Sequence, residues 1–130
     1  MTEQAAVLSK ILIVDDELIM IRLLDDMLQT HYSLQFATTG ADALALVFSN
    51  PPDLILLDVE LPDLSGYEIC RAIRDNPATR DLPVIFLTSN DQQSEVQRGL
   101  EVGGTAYVIK PFRVGELLTS IENQLGKHQQ

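Results

Sequence analysis

Short runs of apolar residues alternate along this chain with longer stretches in which apolar residues recur every three or four positions. The short runs predict five β-strands, at 10–14, 33–37, 54–57, 84–87 and 106–109. The longer stretches predict five helices, at about 18–28, 40–49, 67–74, 91–102 and 114–125. Because strand and helix alternate throughout, the sequence predicts a parallel sheet covered by helices on both faces.

The predicted helices differ in their apolar faces. The face of the first helix comprises Leu18, Ile21, Leu24 and Leu28, with Asp25 between them. The second helix is predicted to be capped by Thr39, with Asp42 as a partner for the cap. Its buried stripe comprises Ala43, Leu44, Leu46 and Val47. The fourth helix is poorly built, because Gly99 lies inside it and an interior glycine costs about 1 kcal/mol relative to alanine. Its apolar anchors are Val96, Leu100 and Val102.

Polar residues follow four of the predicted strands at the points where they end. Asp15 and Asp16 follow the first strand, Asp58 the third, Thr88 the fourth and Lys110 the fifth. In the common doubly wound order, strands one and three are neighbours and their carboxyl ends share one edge, so the three carboxylates should lie together. Clustered carboxylates repel one another unless a cation intervenes, and Mg²⁺ prefers oxygen ligands. These residues predict a pocket for a divalent cation and a phosphoryl group, although Asp15 and Asp16 alone fit a helix N-terminus equally well.

Four segments around these residues resemble a known family. They are VDDE at 14–17, LDVELP at 57–62 followed by Gly66, LTS at 87–89, and YVIKPF at 107–112. In this order and at these separations they resemble the receiver domain of two-component response regulators, over about 10–125. The resemblance implies a flavodoxin-like, doubly wound five-stranded parallel sheet of strand order 2-1-3-4-5 with helices on both faces. Residues 1–9 would then be an N-terminal extension and residues 126–130 a C-terminal tail.

The resemblance also implies a role for each matching carboxylate. Asp58 is the expected phosphoacceptor, since a carboxylate can act as a nucleophile and form an aspartyl phosphate. The expected cofactor is Mg²⁺, held directly by Asp16 and Asp58, by Asp15 through water, and by the backbone carbonyl of Glu60. The implied phosphoryl donor is a phosphohistidine on a sensor histidine kinase or a phosphotransfer protein. The chain is therefore expected to catalyse only its own phosphorylation and dephosphorylation, and not to be an enzyme.

Further residues are implied to sense the phosphoryl group. Thr88 and Lys110 are expected to contact its oxygens, and Asn90 to flank its path. Tyr107 is the aromatic residue expected to turn inward when Thr88 is drawn towards the phosphate, and a cis peptide is expected before Pro111. The surface formed by helix 4, strand 5 and helix 5 is then expected to change, and to control an output partner, an output domain or a homodimer.

Composition and charge argue against several other functions. The net charge is −10, with nine basic residues among nineteen acidic ones, so we expect no direct binding of nucleic acid, which relies on clustered Lys and Arg. No apolar run approaches the roughly 18 residues that a membrane helix needs. Residues 1–9 lack the pattern of a secretory signal. The single cysteine, Cys70, suits a reducing cytoplasm and a buried position in the core.

Three alternative functions compete with that of a receiver. A phosphatase of the haloacid dehalogenase type also uses a strand-end aspartate, but it needs a second aspartate two residues later, where this chain has Glu60. A flavodoxin-like flavin carrier needs a hydroxyl- and glycine-rich loop after the first strand, where this chain has three acidic residues at 15–17. The third alternative is a receiver-like interaction module that phosphorylation does not regulate. The sequence leaves open whether the chain is a stand-alone receiver or a fragment of a longer regulator.

Overall fold

Five parallel strands form the centre of the structure, a computed structural model that describes residues 8–89 and 93–129. The strands are β1 Lys10–Val14, β2 Ser33–Ala37, β3 Leu54–Asp58, β4 Val84–Thr88 and β5 Ala106–Ile109. The helices are α1 Leu18–Leu28, α2 Gly40–Ser49, α3 Gly66–Asp75, α4 Gln93–Glu101 and α5 Val114–Gln129. The sheet order is β2-β1-β3-β4-β5, which confirms the predicted fold. Among the described helices, none is long and apolar enough to cross a membrane.

Successive strand residues pack on opposite faces of the sheet, and each face has its own apolar core. On one face Leu12 and Ile55 pack with residues of α2 and α3. On the other face Ile11 and Leu54 pack with residues of α1 and α5. All residues of β3 and β4 are buried, as their unbroken apolar runs predict. Cys70 is fully buried in the first core, which confirms its predicted position.

Some predictions about the helices were wrong. Leu18 is 73% exposed, because the first turn of α1 lies beyond the strand ends, and only Leu24 and Leu28 of α1 are buried. Leu100 is 56% exposed, because α4 turns its buried Gly99 towards the sheet instead. Helix α5 continues to Gln129, past the predicted end at residue 125. The predicted start of helix 4 at residue 91 lies outside the described residues, as do most of the proposed N-terminal extension and residue 130.

The loop after β3 is tied to neighbouring helices by caps. The carboxylate of Asp63 accepts hydrogen bonds from the backbone N–H groups of Gly40 and Ala41, at 2.7 and 2.9 Å, and so holds the loop against the N-terminus of α2. Thr39 also caps α2, accepting the N–H of Asp42 at 3.1 Å, as predicted. Helix α3 begins with a two-way capping box between Ser65 and Glu68. These contacts fix the backbone on the C-terminal side of Asp58.

Candidate functional site

Asp58 is the last residue of β3, and only 7% of its surface is exposed. The register pairs Leu57 with Val14 of β1, so the following residues, Asp58 and Asp15, leave the sheet side by side. On the other side Asp58 pairs with Leu87, which places Thr88 one residue beyond it. The central position of β3 therefore brings Asp58 between the polar residues that follow β1 and β4.

The three predicted carboxylates meet at this edge of the sheet. Asp15, Asp16 and Asp58 each offer a carboxylate oxygen, and these oxygens all lie within 4.8 Å of one another. Asp15 is fully buried and accepts the N–H of Glu17 at 2.9 Å, whereas Asp16 is exposed. A set of carboxylate oxygens that is open to solvent on one side fits Mg²⁺, which binds one or two carboxylates and retains several waters.

Lys110 supplies a positive charge to the cluster. Its ammonium nitrogen lies 3.1 Å from Asp15 Oδ2, 3.8 Å from Asp58 Oδ2 and 4.0 Å from Glu17 Oε1. The backbone N–H of Lys110 donates to the carbonyl of Thr88 at 2.7 Å, which continues the pairing of β4 with β5. The peptide bond between Lys110 and Pro111 is cis, as expected. The structure thus brings Lys110 to the acidic cluster, where it contacts Asp15 more closely than Asp58.

A cleft of about 440 Å³ opens at this edge. Its lining residues are Asp16, Glu17, Asp58, Glu60, Ser89 and Lys110. Thr88 is only 6% exposed and lies at the end of β4, whereas Ser89 is exposed at the mouth of the cleft. A small anion or a phosphoryl group entering the cleft would therefore meet both the carboxylates and the ammonium of Lys110.

The environment of Asp58 disfavours its charged form. Burial, and after it the negative charge of Asp15, raises the pKa of Asp58 from 3.8 to about 6. The positive charge of Lys110 and the N–H of Glu60, which donates to Asp58 Oδ1 at 3.2 Å, oppose this rise. Asp58 is therefore largely ionised at pH 7 and above, which is the form that a nucleophilic carboxylate requires.

The backbone near Asp58 requires a glycine. A Cβ atom at Gly66 would lie 2.5 Å from the carbonyl oxygen of Asp58, and the N–H of Gly66 donates to the carbonyl of Val59 at 2.7 Å. From the sequence, Gly66 was identifiable only as part of the motif that follows Asp58. The role of the Glu60 carbonyl as a metal ligand stays a prediction. Asn90, which was predicted to flank the path of the phosphoryl group, lies outside the described residues.

Tyr107 is partly buried and packs against the core. Its ring centre lies 5.4 Å from that of Phe86, and its hydroxyl oxygen lies 2.6 Å from the hydroxyl oxygen of Tyr67. Tyr67 was not among the residues predicted from the sequence to form the site. The one sign in the sequence that Tyr67 would be buried is its position. It is the second residue of α3, a helix whose apolar face is buried.

Comparison with known proteins agrees with this geometry. The chain matches the family described as "Response regulator receiver domain" over residues 11–122. It is 38% identical over 115 residues to a Vibrio cholerae protein named "Probable cyclic di-GMP phosphodiesterase". That match covers 88% of this chain but only 26% of the longer Vibrio protein.

Solved structures of receiver domains superpose closely on this chain. Vibrio cholerae chemotaxis response regulator CheY4 has a TM-score of 0.86 at 29% identity, and the match covers 91% of this chain and 99% of that one. The receiver domain of sensor histidine kinase PA1611 from Pseudomonas aeruginosa has a TM-score of 0.85 at 31% identity, with 91% and 98% covered. The latter structure has a magnesium ion coordinated in its active site cleft. By its sequence and its fold, this chain belongs to the receiver domain family of two-component response regulators.

Proposed function

We propose that this chain is a phosphoacceptor receiver that takes a phosphoryl group from the phosphohistidine of a sensor histidine kinase or phosphotransfer protein onto Asp58. The observation that carries the proposal is the buried carboxylate of Asp58, which lies at a sheet edge within reach of Asp15, Asp16 and Lys110. In the transfer, an oxygen of Asp58 attacks phosphorus and the phosphorus–nitrogen bond of the phosphohistidine breaks. The electron pair of that bond stays on the histidine nitrogen.

The residues around Asp58 supply positioning and charge, which are what phosphoryl transfer requires of a protein. The ammonium of Lys110, 3.8 Å from Asp58 Oδ2, is placed to contact a phosphoryl oxygen, and the hydroxyl of Thr88 is the second proposed contact. The carboxylates of Asp15, Asp16 and Asp58, with the Glu60 carbonyl, are the proposed Mg²⁺ ligands. When bound there, Mg²⁺ would neutralise negative charge on both the carboxylates and the phosphoryl group.

An exposed apolar surface beside the site supports a protein as the phosphoryl donor. Helix α1 begins three residues after Asp15, and in its first turn Leu18 is 73% and Ile19 85% exposed. Phe36 of β2 and Leu23 of α1 are also more than a third exposed, at 38% and 42%. Contiguous exposed apolar residues on a folded protein commonly mark surfaces that contact another protein. We therefore place the donor protein over the start of α1, next to the cleft.

The proposed output is a change of the surface formed by α4, β5 and α5. This surface would contact an output partner, an output domain or a second copy of the chain. The chain spans about a quarter of the length of its Vibrio relative. We propose no catalytic activity on an external substrate, and we retain the alternative of an interaction module that phosphorylation does not regulate.

Phosphorylation by acetyl phosphate in Mg²⁺ tests the proposal. Intact mass should rise by one phosphoryl group, and the Asp58→Asn variant should show no rise. The matched control is Asp53→Asn, an exposed aspartate beside the other end of β3, which should be phosphorylated like the wild type. EDTA or Asp16→Asn should reduce the rise strongly. If the wild type takes up no phosphoryl group from acetyl phosphate or from phosphohistidine proteins, the unregulated module is the better description.

A further inference from the structure

Tyr67 connects α3 with three other elements of the fold. Its hydroxyl oxygen lies 2.6 Å from that of Tyr107 in β5, a distance at which either oxygen can donate the hydrogen bond. Its ring centre lies 5.2 Å from that of Phe86 in β4, in a tilted arrangement. The guanidinium carbon of Arg98 in α4 lies 4.7 Å from the centre of the same ring, within the range of a cation–π contact. One side chain of α3 thus contacts β4, β5 and α4.

Two glycines near the C-terminal end of α4 leave space for this aromatic cluster. A methyl group at Gly99 would overlap the ring of Tyr107, and one at Gly104 would overlap the ring of Phe86. Gly99 is buried, and it lies inside a helix, where glycine is unfavourable by about 1 kcal/mol relative to alanine. The position of the Tyr107 ring therefore explains a glycine that weakens α4.

We propose that Tyr67 is a positioning residue for the receiver switch, holding Tyr107 packed beneath α4 in the space left by Gly99, and that this packed position favours the phosphorylated state of Asp58. The inference rests on the proposed function, because it concerns the response to a phosphoryl group. The register supports the coupling: Tyr107 pairs with Phe86, and two residues further on Ile109 pairs with Thr88. A contact that stabilises one of two coupled states must, by linkage, raise the affinity of the ligand that binds that state.

The contact itself can be tested without any ligand. The chain has three tyrosines, Tyr32, Tyr67 and Tyr107, so labelling with ¹³C at Cζ, the carbon that carries the hydroxyl, gives three NMR signals. Each signal is assigned by the Tyr→Phe variant that removes it. We expect Tyr67→Phe to shift the Tyr107 signal and Tyr107→Phe to shift the Tyr67 signal. Tyr32→Phe, on the opposite face of the sheet, should shift neither. An unmoved Tyr107 signal in Tyr67→Phe overturns the proposal.

The coupling is tested by the affinity for beryllofluoride with Mg²⁺, a mimic of the bound phosphoryl group. Loss of one hydrogen bond that favours the bound state should weaken binding in Tyr67→Phe about fivefold, which corresponds to about 1 kcal/mol. Tyr32→Phe should bind like the wild type. If the wild type binds and Tyr67→Phe binds equally well, the present inference fails and the proposed function stands. If the wild type does not bind at all, the proposed function fails.

Filling the space at Gly99 gives an independent test that leaves both hydroxyls in place. Gly99→Ala should displace Tyr107, shift its ¹³C signal and weaken beryllofluoride binding, even though alanine favours helix α4. The matched control is Gly115→Ala in α5, where an added methyl group would meet no atom within 4 Å. The control should leave the Tyr107 signal and the beryllofluoride affinity unchanged. Equal behaviour of the two glycine variants would contradict the proposal.

Discussion

The ammonium nitrogen of Lys110 lies 3.1 Å from Asp15 Oδ2, in a pair whose carboxylate is fully buried and whose lysine side chain is 13% exposed. The two residues are 95 positions apart in sequence and join the ends of β5 and β1 across the sheet edge. Removing one partner of a buried ion pair is costly because the other charge is left without compensation. Lys110 therefore supports the folded site in addition to its proposed contact with the phosphoryl group.

The first prediction concerns the loss of this ammonium. Lys110→Met should lower the free energy of unfolding by roughly 3 kcal/mol at pH 7 without metal, because the Asp15 charge stays buried and unpaired. It should also strongly reduce phosphorylation by acetyl phosphate. Lys10→Met is the control, since the Lys10 ammonium donates to Asn50 at an exposed position and its loss should cost well under half as much. Urea unfolding of both variants measures the difference. Equal losses of stability in the two variants would argue against a structural role of the Lys110–Asp15 ion pair.

The second prediction concerns pH. The pKa of Asp58 is raised from 3.8 to about 6, so the folded protein binds this proton more tightly than the unfolded chain does. The corresponding contribution to stability is complete below pH 3.8 and is lost as the pH rises through about 6. Asp58→Asn replaces the ionisable carboxyl group with a neutral amide, so this loss of stability at high pH no longer occurs. It should therefore raise the free energy of unfolding at pH 8 in EDTA by up to about 3 kcal/mol, with little gain at pH 4.

The control for the pH prediction is Asp26→Asn, an exposed aspartate in α1 whose replacement should have a small effect at both pH values. Urea unfolding at pH 4 and pH 8 gives the required comparison. A gain for Asp58→Asn of the same size at both pH values would mean that ionisation of Asp58 is not its cause.

The site was largely predictable because a parallel sheet collects the ends of its strands. Asp58 and Lys110 could be placed together from strand order alone, without knowledge of any side-chain conformation. The contact of Tyr67 with Tyr107 could not be predicted from strand order. It joins residues 40 positions apart and depends on how two rings lie beneath α4. The exposure of Leu100 was missed for a related reason. Periodicity identifies apolar positions of a helix, but here the buried position is a glycine that lies against an aromatic ring.

The third prediction concerns the hydrogen bonds of Arg74, which the sequence also did not predict. Arg74 of α3 donates from Nε to the carbonyl of Gly103 at 2.9 Å, and from one terminal nitrogen to the carbonyls of Arg80 and Leu82 at 2.9 and 2.6 Å. Lysine lacks the planar, forked set of donors, so Arg74→Lys should lower the free energy of unfolding by about 1–2 kcal/mol. Arg71→Lys, at an exposed position of the same helix, is the control and should cost less than about 0.5 kcal/mol. Thermal unfolding of Arg74→Lys and Arg71→Lys measures the difference. Indistinguishable melting temperatures would show that the hydrogen bonds of Arg74 do not stabilise the fold as proposed.

The fourth prediction concerns where the domain responds to a phosphoryl group. Helix α4 has a buried glycine and an exposed Leu100, whereas α2 buries Ala43 and Val47 and is held at its N-terminus by Asp63. Elements with few buried apolar contacts open at low free energy, and switching elements are drawn from them. Beryllofluoride with Mg²⁺ should therefore change hydrogen exchange most between residues 90 and 113, and leave α2 nearly unchanged.

Asp58→Asn provides the control for this measurement, because beryllofluoride should alter exchange nowhere in a variant that lacks the acceptor carboxylate. A change at 90–113 that persists in Asp58→Asn would show that the ligand acts at another site. If the largest change in hydrogen exchange of the wild type occurred in α2, with no change in α4, the expected switching through Thr88 and Tyr107 would be wrong. Phosphorylation of Asp58 would then remain possible, since it depends on the acidic cluster and Lys110 and not on which helix moves afterwards.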